Sequence, residues 1–191
     1  EFNSGNYELS IPYFKRIAFF ESNNIINLKY LADSYQKIKS YDKALVHYSL
    51  IYNIAKKFSC EIHLPLDVVT DKVEKYSINK IPLDLNFKIL DLSENSINLL
   101  DNLISKSEIV LWNGPMGMIE NEKFAHGSTK LASLLANSSR QVVIGGGDTL
   151  LAINIAGINF DQFHFVSTAG GAFLEALEDK QLPGVEALNL S

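Results

Sequence analysis

The chain is poor in the residues that build covalent or metal frameworks. Cys60 is its only cysteine, which excludes an intrachain disulfide and a thiolate metal cluster and fits a reducing compartment. No two of its four histidines stand at metal-ligand spacing, and no Ser/His/Asp set can be assembled around them. Charge of one sign is not concentrated either. The formal net charge is −5 over 191 residues, with no stretch dense in Lys and Arg. The electrostatic footprint of a protein that binds nucleic acid or an anionic membrane is therefore missing. Apolar runs are too short to span a bilayer, and no charged-then-apolar leader opens the chain. A soluble, cytoplasmic protein with neither nucleic acid nor membrane as partner is the expectation. An acidic chain can still bind phosphate, because backbone N–H groups do so without side-chain charge.

What is present falls into two textures. Tyr7, Ser10, Phe14 and Ile17 recur 34 positions later as Tyr41, Ala44, Tyr48 and Ile51. Between the two sets, Leu28, Leu31, Ala32 and Tyr35 fall at helical spacing. Thirty-four residues is the tetratricopeptide period, with the small residue at 10 and 44 where two helices approach closely. Residues 1–56 are thus expected to form an α-helical hairpin, either tetratricopeptide-like or a generic amphipathic pair. Pro12 stands inside the first helix, where it kinks the helix or marks a late start. So short a unit needs a neighbour to cover its apolar face, which makes a protein partner for this segment an expectation.

From about residue 57 short β-branched runs alternate with helical stretches. The pattern predicts strands at 60–64, 88–92, 108–112, 141–144 and 164–167, and helices at 96–105, 121–137 and 148–155. Such alternation predicts an α/β unit over 57–191 with a parallel sheet covered on both faces. Ligands of such sheets bind at the loops leaving the carboxyl ends of the strands.

Three of those loops can carry chemistry. The first runs from Trp112 through Asn113, Gly114, Pro115 and Gly117 to Glu120. A carboxylate at Glu120 suits ribose hydroxyls; equally, Asn-Gly-Pro is an ordinary turn and Glu120 a first-turn acid favoured by the helix dipole. In the second, Gly145, Gly146 and Gly147 lead into Asp148 and Thr149 at a helix start. Three glycines let backbone N–H groups approach a phosphate, and Asp148 can hold Mg²⁺ directly or through water. The spacing is neither a Walker loop nor GxGxxG, and a helix N-cap Asp behind a flexible turn is the plain alternative. The third, Ser167 to Ala172, carries Gly170 and Gly171 in the same strand–glycine–helix order. Two glycine loops at neighbouring strand ends can face one phosphate chain.

The segments IVLWNGPMGMIENEKFAHGS, VVIGGGDTLLAI and HFVSTAGGAFLEALEDKQLPGVEAL, in this order, together with IHLPLDVV upstream, resemble the end of the nucleotide domain of phosphoglycerate kinases. The resemblance covers roughly residues 57–191. It implies the C-terminal part of a Rossmann-like three-layer parallel sheet, preceded here by the helical hairpin. It further implies an adenine nucleotide, ATP or ADP with Mg²⁺, and phosphoryl transfer between ADP and the acyl phosphate of 1,3-bisphosphoglycerate. By the match, Asn113, Pro115 and Glu120 flank adenosine, with Glu120 on the ribose. Gly145, Gly146, Gly147, Asp148 and Thr149 meet the phosphates and the metal, Asp148 being the metal ligand. Gly147, Gly170 and Gly171 face the transferred phosphoryl group.

There are departures from the family pattern. The family's basic N-terminal domain and its Gly-Ala-Lys loop have no counterpart in this sequence, so a half-site that is not catalytic alone is the expectation. Ala169 replaces a glycine, and Ser93-Glu94 replaces a Gly-Pro beside the adenine. The competing reading is a scaffold protein that works through its helices.

Overall fold

The computed structural model describes residues 5–20, 24–81, 87–177, 182, 186 and 187. These fall into two compact units, Glu1–Leu64 and Pro65–Ser191.

Among its described residues the first unit holds three helices, α1 (Tyr7–Phe20), α2 (Ile25–Lys37) and α3 (Tyr41–Lys57), where a hairpin was expected. Asn24 starts α2 by accepting the Asn27 N–H on its side chain at 2.9 Å, the usual device for an orphaned first-turn donor. Ile11, Leu31, Tyr35 and Ala44 form the core. The two small residues of the sequence period, Ser10 and Ala44, are both buried. The Ser10 and Ser34 hydroxyls meet at 3.1 Å, a close approach of α1 and α2 that a larger side chain would prevent. Pro12 lies within α1 without ending it; what it removes is one N–H from the ladder.

Among its described residues the second unit contains two three-stranded sheets. In the first, β1 (Asp67–Thr70) lies between β2 (Lys75–Ser77) and β3 (Ile89–Leu92), antiparallel to both. In the second, β4 (Ile109–Asn113), β5 (Gln141–Gly145) and β6 (Phe165–Ser167) run parallel in that order. Parallel neighbours require crossovers, and these are α5 (His126–Ala136) and α6 (Gly147–Ile155). α4 (Glu94–Lys106) precedes β4, and α7 (Gly170–Leu177) follows β6. Trp112, Val142 and Ile144 project from one face of the parallel sheet into a core with Ile104, Leu131, Leu135, Ala152 and Ile153. On the opposite face Ile109 and Phe165 are 61% and 54% exposed, and the Phe173 ring of α7 reaches Phe165 at 6.1 Å between centroids.

Several expectations from the sequence are corrected. No strand forms at 60–64, where Ile62 and Leu64 stand exposed. A β-branched run becomes a strand only where a ladder partner is present, and β1 finds two partners a few residues later. The strand at 88–92 exists as β3 but pairs antiparallel with β1, so it is not part of the parallel sheet. The single helix expected over 121–137 is a 3₁₀ turn, Glu122–Phe124, followed by α5. Cys60 is exposed in coil rather than packed in a strand.

α4 is capped across the fold. Ser93 at its N-cap makes no side-chain cap bond. Instead the Asp67 carboxylate on β1 accepts the Asn95 N–H at 3.0 Å and the Ser96 N–H at 2.8 Å. Burial by itself would raise the Asp67 carboxyl, but the bonds from Ser96 and Asn95 outweigh it and hold it below the usual carboxylate range.

Candidate functional site

The three loops leave the carboxyl ends of the three parallel strands, and the in-register ladder brings their first residues level. Asn113 pairs with Gly145, and Gly145 with Ser167. The Asn113 side-chain oxygen occupies the space between the glycines. A Cβ would lie 3.1 Å from that oxygen at Gly145, 2.9 Å at Gly146 and 3.1 Å at Gly170. Gly146 and Gly170 approach so closely that a Cβ on Gly170 would stand 2.8 Å from the Gly146 Cα. The Gly146 N–H donates to the Ser167 carbonyl at 3.2 Å, locking the second loop to the third. Gly146 has φ +94°, a conformation that glycine adopts without strain.

Beyond this junction the surface opens. A Cβ at Gly147 or at Gly171 would meet nothing within 4 Å. Gly146, the N-cap of α6, supplies no side-chain cap, and the first helical bond of α6 is the Leu150 N–H to the Gly146 carbonyl. The N–H groups of Gly147, Asp148 and Thr149 are therefore outside the helix ladder. α7 begins in the same way, with the Phe173 N–H donating to the Ala169 carbonyl. Two helix N-termini thus start beside one point, and each carries a partial positive charge. Asp148 is exposed on the first turn of α6. Among the described residues no group of three or more His, Cys, Asp or Glu could hold a metal, so Asp148 has no protein co-ligand of that kind.

Thr149 is fully buried, and its hydroxyl accepts the Gly114 N–H at 2.7 Å. It braces the first loop against the second. The Trp112 indole N–H donates to the Gly114 carbonyl at 2.7 Å, fixing the same residue from the other side. Farther along the first loop, the Met116 N–H donates to the Ser128 hydroxyl on α5 and the Met118 N–H to the Leu90 carbonyl on β3, both at 2.9 Å. Beside this loop lies a crevice of about 370 Å³ whose lining includes Val68, Leu90, Pro115, Met116 and Met118, with Asp91 as its one acid.

The structure therefore brings Asn113, Gly145, Gly146 and Gly170 together, with Gly147, Asp148 and Gly171 at the opening. Pro115 lies on the crevice. Glu120 stands exposed in a turn ahead of the 3₁₀ segment, not at a helix start, and no hydrogen bond joins it to the glycine loops. Ala169 is exposed, with its N–H 3.3 Å from the Ser167 hydroxyl. At the position of the substituted Gly-Pro, Glu94 pairs with His126 at 2.9 Å. His164 accepts the Val142 N–H on Nδ1 at 3.2 Å, and so serves the sheet. Ser128, Leu90, Asp91 and Phe173 were not legible as site residues. Only Asp91, an acid inside an apolar strand, left a signal in the sequence.

A parallel sheet with glycine loops at its strand ends and helices started by those loops defines an α/β protein of the Rossmann-like class. The phosphoglycerate kinase family model matches residues 27–180. The phosphoglycerate kinase of Orientia tsutsugamushi (strain Ikeda) is 42% identical over 150 residues, covering 73% of this chain and 37% of that protein. Among solved structures, the phosphoglycerate kinase from Coxiella burnetii superposes with a TM-score of 0.65 at 33% identity, covering 75% of this chain and 38% of that one. The Pyrococcus horikoshii OT3 enzyme superposes with a TM-score of 0.68 at 26% identity, covering 85% and 42%. This chain belongs to the phosphoglycerate kinase family. It spans little more than a third of the length of the curated relatives it matches. The family match begins within α2, ahead of the boundary expected at 57, and so takes in α3 of the helical unit. The closing segment 182–188, on which part of the sequence resemblance rests, lies mostly outside the described residues.

Proposed function

We propose that the second unit is an adenine-nucleotide half-site, binding ATP or ADP with Mg²⁺ for the family's phosphoryl transfer between ADP and 1,3-bisphosphoglycerate. The observation that carries this reading is the convergence of three loops on Asn113, with α6 and α7 both starting there. Backbone donors outside the helix ladder at Gly147 and Asp148, and glycines open to solvent at Gly147 and Gly171, suit a phosphate chain. Asp148 is the residue that would hold Mg²⁺, an ion that keeps few protein ligands and takes the rest from phosphate and water. Bound there, the metal would neutralise phosphate charge. The crevice beside Pro115 and Met116 offers an apolar wall to the base, and Glu120 is the carboxylate assigned to the ribose. Thr149 contributes by holding Gly114. Gly170 and Gly171 direct the start of α7 toward the terminal phosphate, where positioning and charge neutralisation dominate this chemistry.

The tetratricopeptide-like reading of the first unit, and with it a protein partner, rests on the 34-residue recurrence alone. The scaffold alternative draws no support from the comparisons, which match α3 into the kinase family.

Trp112 is bonded to the first loop and is the single tryptophan, so its emission reports on the site. Titration with MgADP should give a saturable change, weakened in Gly146→Val and in Asp148→Ala. No change in a folded sample would remove the reading.

A further inference from the structure

Asp91 is 2% exposed within β3; it borders the crevice beside Pro115 and Met116, and no role has been given to it above. Its Oδ1 accepts the Leu92 N–H at 2.8 Å, and its two oxygens accept the Gly127 N–H at 3.2 and 3.0 Å. Gly127 is in the first turn of α5, so the carboxylate closes that helix N-terminus from another element. Two glycines make room for it. A Cβ on Gly117 would overlap the carboxylate and the Phe124 carbonyl, and a Cβ on Gly127 would overlap the carboxylate as well.

The neighbours of this contact hold the first loop. Leu90, the residue before Asp91, accepts from Met118. Ser128, the residue after Gly127, accepts from Met116. Asp91 and Gly127 therefore close a ring of bonds whose other side is 116–118. Among the described residues no salt bridge reaches Asp91; His126 is paired with Glu94 and its charge also acts on Asp91, favouring the ionised form. Burial holds the Asp91 carboxyl above the usual range, offset in part by the bonds from Gly127 and Leu92. A raised value in the fold means that the ionised form is disfavoured there, so the stability this group contributes falls as pH rises through the folded value.

We infer that Asp91 is a positioning residue: wedged between Gly117 and Gly127, it ties the first loop to the α5 N-terminus and so sets where Pro115 and Glu120 stand relative to the glycine loops. Its effect on ligand rests on the nucleotide reading above, while its effect on the loop does not.

The test compares wild type, Asp91→Asn and Asp91→Ser by amide hydrogen exchange, thermal unfolding and MgADP titration of Trp112 emission. In both variants the amides of 116–118 should exchange roughly tenfold faster, the scale of one lost charge-assisted bond. The MgADP dissociation constant should rise by a similar factor, and exchange at 116–118 should quicken more than exchange elsewhere in the unit. A purely structural residue would lower the melting temperature and leave exchange at 116–118 in step with the rest of the unit. Asp91→Ser removes the carboxylate without adding bulk beside Gly117 and Gly127, so it decides the matter should Asp91→Asn fail to fold. Unchanged exchange at 116–118 overturns the inference. Wild type that binds no MgADP removes the nucleotide reading, and the exchange comparison then still decides the role of Asp91.

Discussion

The Gly114 N–H reaches the Thr149 hydroxyl across 35 positions of sequence, at 2.7 Å. This one bond joins the loop after β4 to the helix after β5, and Thr149 is fully buried where it forms. Thr149→Val preserves shape and leaves the Gly114 N–H without its acceptor, which should cost about 1–3 kcal/mol of stability. Urea unfolding measures the loss. A shift in Trp112 emission should accompany it, because the indole is bonded to the Gly114 carbonyl.

Gly170 meets Gly146 without room for a methyl group. Gly170→Ala would place a carbon 2.8 Å from the Gly146 Cα and 3.1 Å from the Asn113 oxygen, and backbone cannot rotate away as a side chain can. Overpacking of this kind costs about 1–3 kcal/mol, and MgADP affinity should fall with it. Gly171→Ala is the control, since that position is open.

Asp67 caps α4, and its carboxyl lies below the usual range. The folded form therefore binds fewer protons than the unfolded chain, and the stabilisation is present above the unfolded value and lost as pH falls through the folded one. Asp67→Asn should be less stable than wild type at neutral pH by about 2 kcal/mol. The gap should narrow as the pH is brought below the ordinary carboxylate range. Equal stability of the two proteins at neutral pH would contradict the cap.

Val73, at the turn between β1 and β2, has φ +63° and is 54% exposed. A β-branched residue is rare in the left-handed region, where an L-residue costs about 1–2 kcal/mol. Val73→Asn and Val73→Gly should raise the melting temperature, since relief of the left-handed strain outweighs what a side chain more than half exposed contributes.

The local sequence determined what local rules can determine. Strand-to-helix alternation located β4, β5, β6, α5 and α6, because apolar periodicity and glycine-started helices are properties of short windows. It also marked Gly145–Asp148 and Gly170–Gly171 as places where backbone can approach a ligand. The tertiary structure alone decided the rest. Whether 60–64 is a strand depends on a partner that the window does not contain. Whether β3 joins the parallel sheet depends on β1, which pairs with it in the opposite sense. Thr149 reads in sequence as a helix-start hydroxyl, and the fold buries it where it accepts the Gly114 N–H. Asp67 and Asp91 cap helices to which they are not adjacent in sequence, through bonds that span 28 to 36 residues. Such bonds are chosen by how the sheets and helices come together, and nothing in the residues next to either aspartate specifies them.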